Sequence, residues 1–102
     1  MNKIKAVEYE SFEWDKNNID KNEKKHGILF KESEEIFIDE PIYSEDIKHS
    51  KIEKRFSCIG MTKNNKQLYI SFTIRKTKIR VISARLSSRK ERKEYEKIQK
   101  NS

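Results

Sequence analysis

Apolar residues alternate every second position through the second half of this chain, and fall at helical spacing in parts of the first half. Gln67 to Arg75 is the clearest run. Leu68, Ile70, Phe72 and Ile74 alternate there with Tyr69, Ser71, Thr73 and Arg75, the pattern of a strand with one face on a core. Lys54 to Thr62 and Lys78 to Arg85 read as its neighbours. The turn at Lys63-Asn64-Asn65-Lys66 suits a hairpin, because Asn tolerates positive φ. Lys76-Thr77 is a tight connection with weaker turn chemistry. Consecutive strands joined this closely must run antiparallel. Val7 to Trp14 also alternates, with Val7, Tyr9 and Ser11 on one side and Phe12 and Trp14 on the other, and predicts a first strand.

Helical spacing appears in three places. Asp15 offers an N-cap to Lys16–Lys25, a polar stretch whose one apolar residue is Ile19; Lys24, Lys25, His26 and Gly27 form a suitable C-terminus. Phe30 to Ile38 puts Phe30, Ser33, Ile36 and Phe37 on one side, and Asp39-Glu40-Pro41 stops it. Ser88-Arg89-Lys90-Glu91 matches a capping box and opens a last helix with a narrow apolar edge at Tyr95 and Ile98. Ile42 to Ser44 reads as a short edge strand and Glu45 to Lys51 as a polar loop. Early helices and a late meander predict an α+β fold: two N-terminal helices packed on an antiparallel sheet of about four strands, followed by a basic C-terminal helix.

Charge sharpens this picture. Residues 75–100 hold 11 Lys and Arg against 3 Glu, a net +8, while the whole chain of 102 residues is +7. The preceding residues, with 13 basic and 14 acidic side chains, sum to about −1. Positive charge placed on one strand–helix unit points to a polyanion, most often nucleic acid. The length fits a single domain over residues 1–102, and 33% apolar against 40% charged residues gives it a thin core. The lone Cys58 excludes an internal disulfide and reads as a buried thiol in a reducing, cytoplasmic setting. With no apolar run near membrane-spanning length, no membrane association is expected.

The chemistry on offer is arginine on strands. His26 and His49 lack metal-ligand spacing, and no phosphate-cradling glycine loop occurs, so neither metal nor cofactor is implied. Arg55, Arg80 and Arg85 sit on or at the ends of strands, where a guanidinium must reach solvent or meet an anion. Unless a bulge intervenes, Arg80 and Arg85 point to opposite faces of their strand, so a shared site does not follow from sequence. A solvated face with acidic neighbours accounts for them as well. Arg75, Lys78, Arg89, Lys90, Arg92 and Lys93 are candidates for phosphate-backbone contact. Such a surface suits RNA cleavage by the neighbouring 2′-hydroxyl, where the substrate supplies its own nucleophile and the protein supplies orientation, charge stabilisation and proton transfer. His26, Glu53, Glu91 and Tyr95 are candidate proton carriers, among which the sequence does not choose. For His26 the spacing favours a helix-terminal role.

Five motifs in order extend this reading: Phe12-Glu13-Trp14-Asp15; Lys25-His26-Gly27-Ile28 with Phe30; Arg55 with Ile59-Gly60; Arg80-Val81-Ile82-Ser83-Ala84-Arg85; and Glu91-Arg92 with Tyr95-Glu96. Together, over about residues 10–97, they resemble the BrnT toxins of bacterial type II toxin–antitoxin systems. The resemblance implies a RelE-like fold and a metal-independent endoribonuclease that arrests translation. It also implies a BrnA-like ribbon-helix-helix antitoxin, through which alone the toxin meets operator DNA. Arg55, Arg80, Arg85 and His26 are carried over as motif matches, with Glu53 as the acid nearest Arg55. Typical members carry that acid directly before the arginine, where this chain has Lys54. The competing reading from another class is a non-catalytic subunit whose basic surface binds an antitoxin or nucleic-acid backbone. Exposed strand edges would also allow a homodimer.

Overall fold

A computed structural model describes residues 2–100, in which three helices accompany a six-stranded sheet. In chain order the elements are β1 (Lys3–Ile4), β2 (Ser11–Phe12), α1 (Lys16–His26), α2 (Phe30–Ile38), β3 (Ile42–Glu45), a 3-10 turn (Ile47–His49), β4 (Arg55–Met61), β5 (Gln67–Arg75), β6 (Lys78–Leu86) and α3 (Arg89–Lys100). The sheet order is β1-β3-β4-β5-β6-β2. The α+β class and the antiparallel β4–β5–β6 meander are as expected.

The sheet is larger than the expected four strands, and it is mixed. Two-residue strands add at both edges: β1 runs antiparallel to β3, and β2 runs parallel to β6. Ile42–Glu45 is therefore an interior strand, not an edge. The Val7–Trp14 strand shrinks to Ser11–Phe12, and its expected two-sided alternation breaks down. Val7, Tyr9, Phe12 and Trp14 all pack on the same core, while Ser11 is exposed. Aromatic burial overrides alternation here, with Phe12 and Phe37 ring centres 5.4 Å apart and Trp14 and Phe30 5.5 Å apart.

That core lies on one face of the sheet, built from Cys58, Leu68, Ile70, Phe72, Ile79, Val81 and Ala84 beneath Ile36 and Phe37 of α2. Phe37 meets Phe72 edge-on at 5.0 Å. Burial pushes the Cys58 thiol well above its ordinary pKa, which fits a packing role. Gly60 lets α2 and the following proline approach: an added Cβ would stand 3.0 Å from Ile36 Cγ2 and 3.2 Å from Pro41 Cβ. The N-terminus of α2 is closed by buried Glu32, whose Oε1 accepts from Leu29 N at 2.9 Å and whose Oε2 pairs with Lys66 Nζ at 2.9 Å. Gly27 ends α1 at φ 70°, with its N–H bonded to Glu23 O and that of Ile28 to Asn22 O. The Lys76-Thr77 connection is a two-residue turn with both residues in the left-handed region, at φ 48° and 70°.

Candidate nucleic-acid interface

The site is set by one irregularity. Ser71 faces Ser83 across the β5–β6 pair, but Phe72 faces Val81, so Ile82 is an extra residue on β6. The bulge reverses the alternation midway along the strand. Arg80 pairs with Thr73 and Arg85 with Tyr69, and Thr73, Ser71 and Tyr69 share the face opposite the core. Arg80 and Arg85 thus stand on the same face of the sheet, against the expectation from simple parity.

Asparagines from α1 meet the free edge of β6 at the bulge. Past Phe12 no strand among the described residues covers β6, and Asn18 and Asn22, one helical turn apart, take its place. Asn22 Oδ1 accepts from Ala84 N at 3.2 Å, and Asn18 Nδ2 donates to Val81 O at 3.3 Å. The helix whose sequence offered almost no apolar face therefore docks through amides that satisfy a sheet edge. His26 continues the same spacing at the helix end. Burial, then the charges of Lys25, Arg85 and Lys21, hold its pKa below the ordinary histidine value. It lies within electrostatic reach of Arg85 and has no carboxylate partner among the described residues.

Cross-strand register arranges the open face in rows. Ser44, Ser57, Ser71 and Ser83 are successive partners across β3, β4, β5 and β6. On one side of this hydroxyl row stand Arg55, Thr73 and Arg80, and on the other Ile42, Ile59, Tyr69 and Arg85. Two residues along a strand span about 6.6 Å, so the arginine-bearing rows are separated by roughly 13 Å of shallow, hydroxyl-lined floor. Ser44, Ser57 and Thr73 are themselves buried between the larger side chains of these rows, as is Ile59. Ser44 Oγ is buried and has no hydrogen-bond partner among the described residues.

The cations differ in how they are held. Arg85 makes a two-pronged pair with Glu91, Nη1 to Oε1 and Nη2 to Oε2 both at 2.9 Å, and its guanidinium carbon lies 4.6 Å from the Tyr69 ring centre. Glu91 also accepts from Ser88 N at 2.8 Å, completing the expected capping box. Burial works to raise the Glu91 pKa, but Arg85 and the Ser88 cap bring it below the ordinary value. Glu91 therefore joins the start of α3 to the sheet, a role beyond the cap that the sequence suggested. Arg75 is paired with Glu53, Nε to Oε2 at 2.8 Å, and that hydrogen bond is the main cause of a lowered Glu53 pKa. Arg80 Nη2 is 3.7 Å from Asp15 Oδ2, while the other Asp15 oxygen caps α1 at Asn17 N, 2.7 Å away. Arg55 has no ion-pair partner among the described residues, and Lys78 is exposed at the hairpin end. On α3, Arg89, Lys90, Arg92 and Lys93 are exposed, while Glu91, Glu94, Tyr95 and Ile98 face inward.

The 3-10 turn borders the same face. Its N-cap Asp46 holds the His49 ring, with Nδ1 at 2.9 Å from Oδ2 and 3.1 Å from Oδ1. A cavity of about 270 Å³ is lined by His49, Asp46, Ser44, Ser57 and Tyr69, and another of about 600 Å³ by His49, Glu53, Arg55 and Arg75. Sequence reading passed over this pair. The available signal was an acid three residues before a histidine in a segment with no core pattern. Among the described residues, no group of three or more His, Cys, Asp or Glu is placed to hold a metal ion, and no helix is long and apolar enough to cross a membrane.

A family model described as the ribonuclease toxin, BrnT, of type II toxin–antitoxin systems matches residues 14–91. The chain belongs to the BrnT family. The match runs from Trp14 through α1, α2 and the β3–β6 meander to Glu91. It takes in every arginine of the open face and ends at the carboxylate that ties α3 to Arg85. Most of the basic helix of this BrnT chain lies beyond it. Trp14, where the match begins, donates from Nε1 to Glu34 Oε2 at 2.6 Å and so links the chain entering α1 to α2. A comparison with curated proteins finds no match.

Proposed function

We propose that this chain is a metal-independent endoribonuclease whose substrate lies along the open sheet face, and that it arrests translation until a BrnA-like antitoxin covers that face. The observation that carries the reading is the bulge at Ile82, which aligns Arg80 with Arg55 across Thr73 on the face that also bears Arg75, Tyr69 and Arg85. Arg55 and Arg80 contact the scissile phosphate and stabilise the charge that builds on it. Arg85, gripped by Glu91 and Tyr69, shapes the far wall. Arg75, Lys78 and the exposed basic side of α3 engage flanking phosphates. An RNA strand also offers the 2′-hydroxyl as nucleophile, so the protein supplies no covalent intermediate.

The test is cleavage of a defined RNA by the purified chain in EDTA. Wild type should produce fragments ending in a 2′,3′-cyclic phosphate and leave a strand with a single 2′-deoxy substitution at the scissile position intact. Arg80→Ala should lose cleavage and growth arrest while melting as wild type does. Undiminished cleavage by Arg80→Ala would remove the phosphate-binding role. The pairing of Arg75, Arg80 and Arg85 with this chain's own carboxylates favours a second reading, a non-catalytic antitoxin-binding subunit. Harmless expression with no cleavage of free or ribosome-bound RNA would select that reading instead.

A further inference from the structure

We propose that the Asp46–His49 pair is the general base of this site, with His49 removing the 2′-hydroxyl proton and Asp46 acting as its positioning residue; the inference rests on the endoribonuclease reading above.

Three observations lead to it. First, the pair has the connectivity a base requires. Asp46 takes Nδ1 of His49 at 2.9 Å, and because a carboxylate only accepts, the proton on that side belongs to Nδ1, so that in the neutral ring Nε2 carries the lone pair. Nε2 has no partner among the described residues. Asp46 Oδ1 also accepts from His49 N at 3.3 Å, so a single carboxylate fixes both the backbone and the ring of the histidine.

Second, the turn carrying the pair is tied to Arg55. Ser50 Oγ donates to Asp46 O at 2.6 Å and accepts from Arg55 N at 2.9 Å, and Asp46 N donates to Arg55 O at 2.9 Å. A base and a phosphate-binding cation must keep a constant separation if both act on one ribose–phosphate unit. These bonds hold the turn against the first residue of β4, the residue whose side chain is the unpaired arginine of the face.

Third, the position is right. His49 borders both cavities of the open face, the one with Arg55, Glu53 and Arg75 and the one with Ser44, Ser57 and Tyr69. The buried Ser44 Oγ, lacking a partner among the described residues, belongs to the second. His26, the other histidine, packs at the end of α1 among cations and has no acid to orient it among the described residues.

In the reaction, Nε2 of His49 accepts the 2′-hydroxyl proton as O2′ attacks the adjacent phosphorus. The O2′–P bond forms and the P–O5′ bond breaks. The 5′-oxygen takes a proton from water, and His49 returns its proton to solvent. The products are a 2′,3′-cyclic phosphate and a 5′-hydroxyl.

The test measures kcat and KM separately for wild type, His49→Ala and Asp46→Asn on the same RNA in EDTA, with urea unfolding to confirm that each variant folds. His49→Ala should lower kcat on the order of 100-fold or more with KM nearly unchanged, the usual weight of general base catalysis. Added imidazole should restore part of that loss, a rescue that a structural role would not show. Asp46→Asn should lower kcat by a smaller factor, again without raising KM. A His49→Ala variant within about threefold of wild type, a loss confined to KM, or no response to imidazole would overturn the assignment while leaving the ribonuclease reading intact. No cleavage by wild type would overturn both.

Discussion

Replacing Asn22 by alanine should destabilise this protein and, at temperatures where it is still folded, weaken RNA cleavage. Asn22 is 3% exposed, and its Oδ1 is the acceptor for the N–H of fully buried Ala84 at 3.2 Å. Alanine leaves that N–H without a partner, at a cost of about 1–3 kcal/mol. The better helix propensity of alanine returns up to about 0.7 kcal/mol, so the net loss is roughly 1–2 kcal/mol. Asn18 provides the internal control, because its amide donates to Val81 O at 3.3 Å from a partly buried position. A hydrogen bond of that kind contributes about 0.5–1.5 kcal/mol, which the same propensity gain largely cancels. Urea unfolding reads the difference. With a slope of about 1–3 kcal/mol per molar, Asn22→Ala should lower the midpoint by roughly 1 M, and Asn18→Ala by much less. Because the freed amide lies two residues past the bulged Ile82, the register that puts Arg80 and Arg85 on one face should relax as well, so cleavage should fall in the folded variant. Equal midpoints for Asn22→Ala and Asn18→Ala, or a wild-type midpoint for the former, would refute the argument that this amide secures the bulged edge.

Gly60→Ala should lower stability by about 1–3 kcal/mol, because its Cβ would meet Ile36 Cγ2 at 3.0 Å and Pro41 Cβ at 3.2 Å, seen as a reduced melting temperature. Glu32 should contribute to acid sensitivity: burial raises its pKa, but the bonds from Leu29 N and Lys66 outweigh this and leave it lowered in the fold. A lowered folded-state pKa gives stability that is complete above the ordinary carboxylate value and lost as pH falls through the folded value. Urea midpoints taken from pH 6 to pH 3 should therefore fall less steeply for Glu32→Gln than for wild type. Replacing Arg89, Lys90, Arg92 and Lys93 by glutamine should flatten the salt dependence of RNA binding by about 0.7 in log–log slope for each phosphate no longer neutralised, measured by titration at several salt concentrations.

The elements legible in the sequence were those whose apolar period is unbroken. Phe30–Ile38 and Gln67–Arg75 appear in the structure with the bounds their periods suggest, and the capping box at Ser88 and Glu91 forms as spaced. The bulge was invisible because Ile82 is as good a strand former as its neighbours, and the amide meeting the bulged edge is 62 residues upstream of Ala84. The serine row was hidden for a related reason: Ser44, Ser57, Ser71 and Ser83 become neighbours only through register. The arginines themselves were found from charge and position, but their shared face was not. His49 was weighed only as a metal ligand, and its pairing with Asp46 went unremarked because a 3-10 turn has no periodicity to betray it.

The carboxylates opposite the arginines show how such a face can exist before any polyanion binds. Several guanidiniums on one small sheet repel one another, and their charge must be balanced locally. The balancing acids come from outside the sheet: Glu53 from the loop before β4, Asp15 from the cap of α1, and Glu91 from the cap of α3. They are not equivalent. Arg75 with Glu53 is exposed and has one short and one 3.4 Å hydrogen bond, and Arg80 stands 3.7 Å from Asp15, a contact too long for a hydrogen bond, so a phosphate can replace either carboxylate readily. Arg85 with Glu91 is two-pronged, partly buried and backed by the Tyr69 ring, so an incoming phosphate would have to displace both hydrogen bonds and disturb the stacking on the ring. Arg85 is thus a strut that fixes α3 against the sheet, Arg75 and Arg80 are exchangeable, and Arg55 stands ready without exchange. The charge that made the last strand and helix conspicuous therefore divides by partner, and under the proposed function it is Arg80 together with Arg55 that an RNA phosphate would meet at least cost.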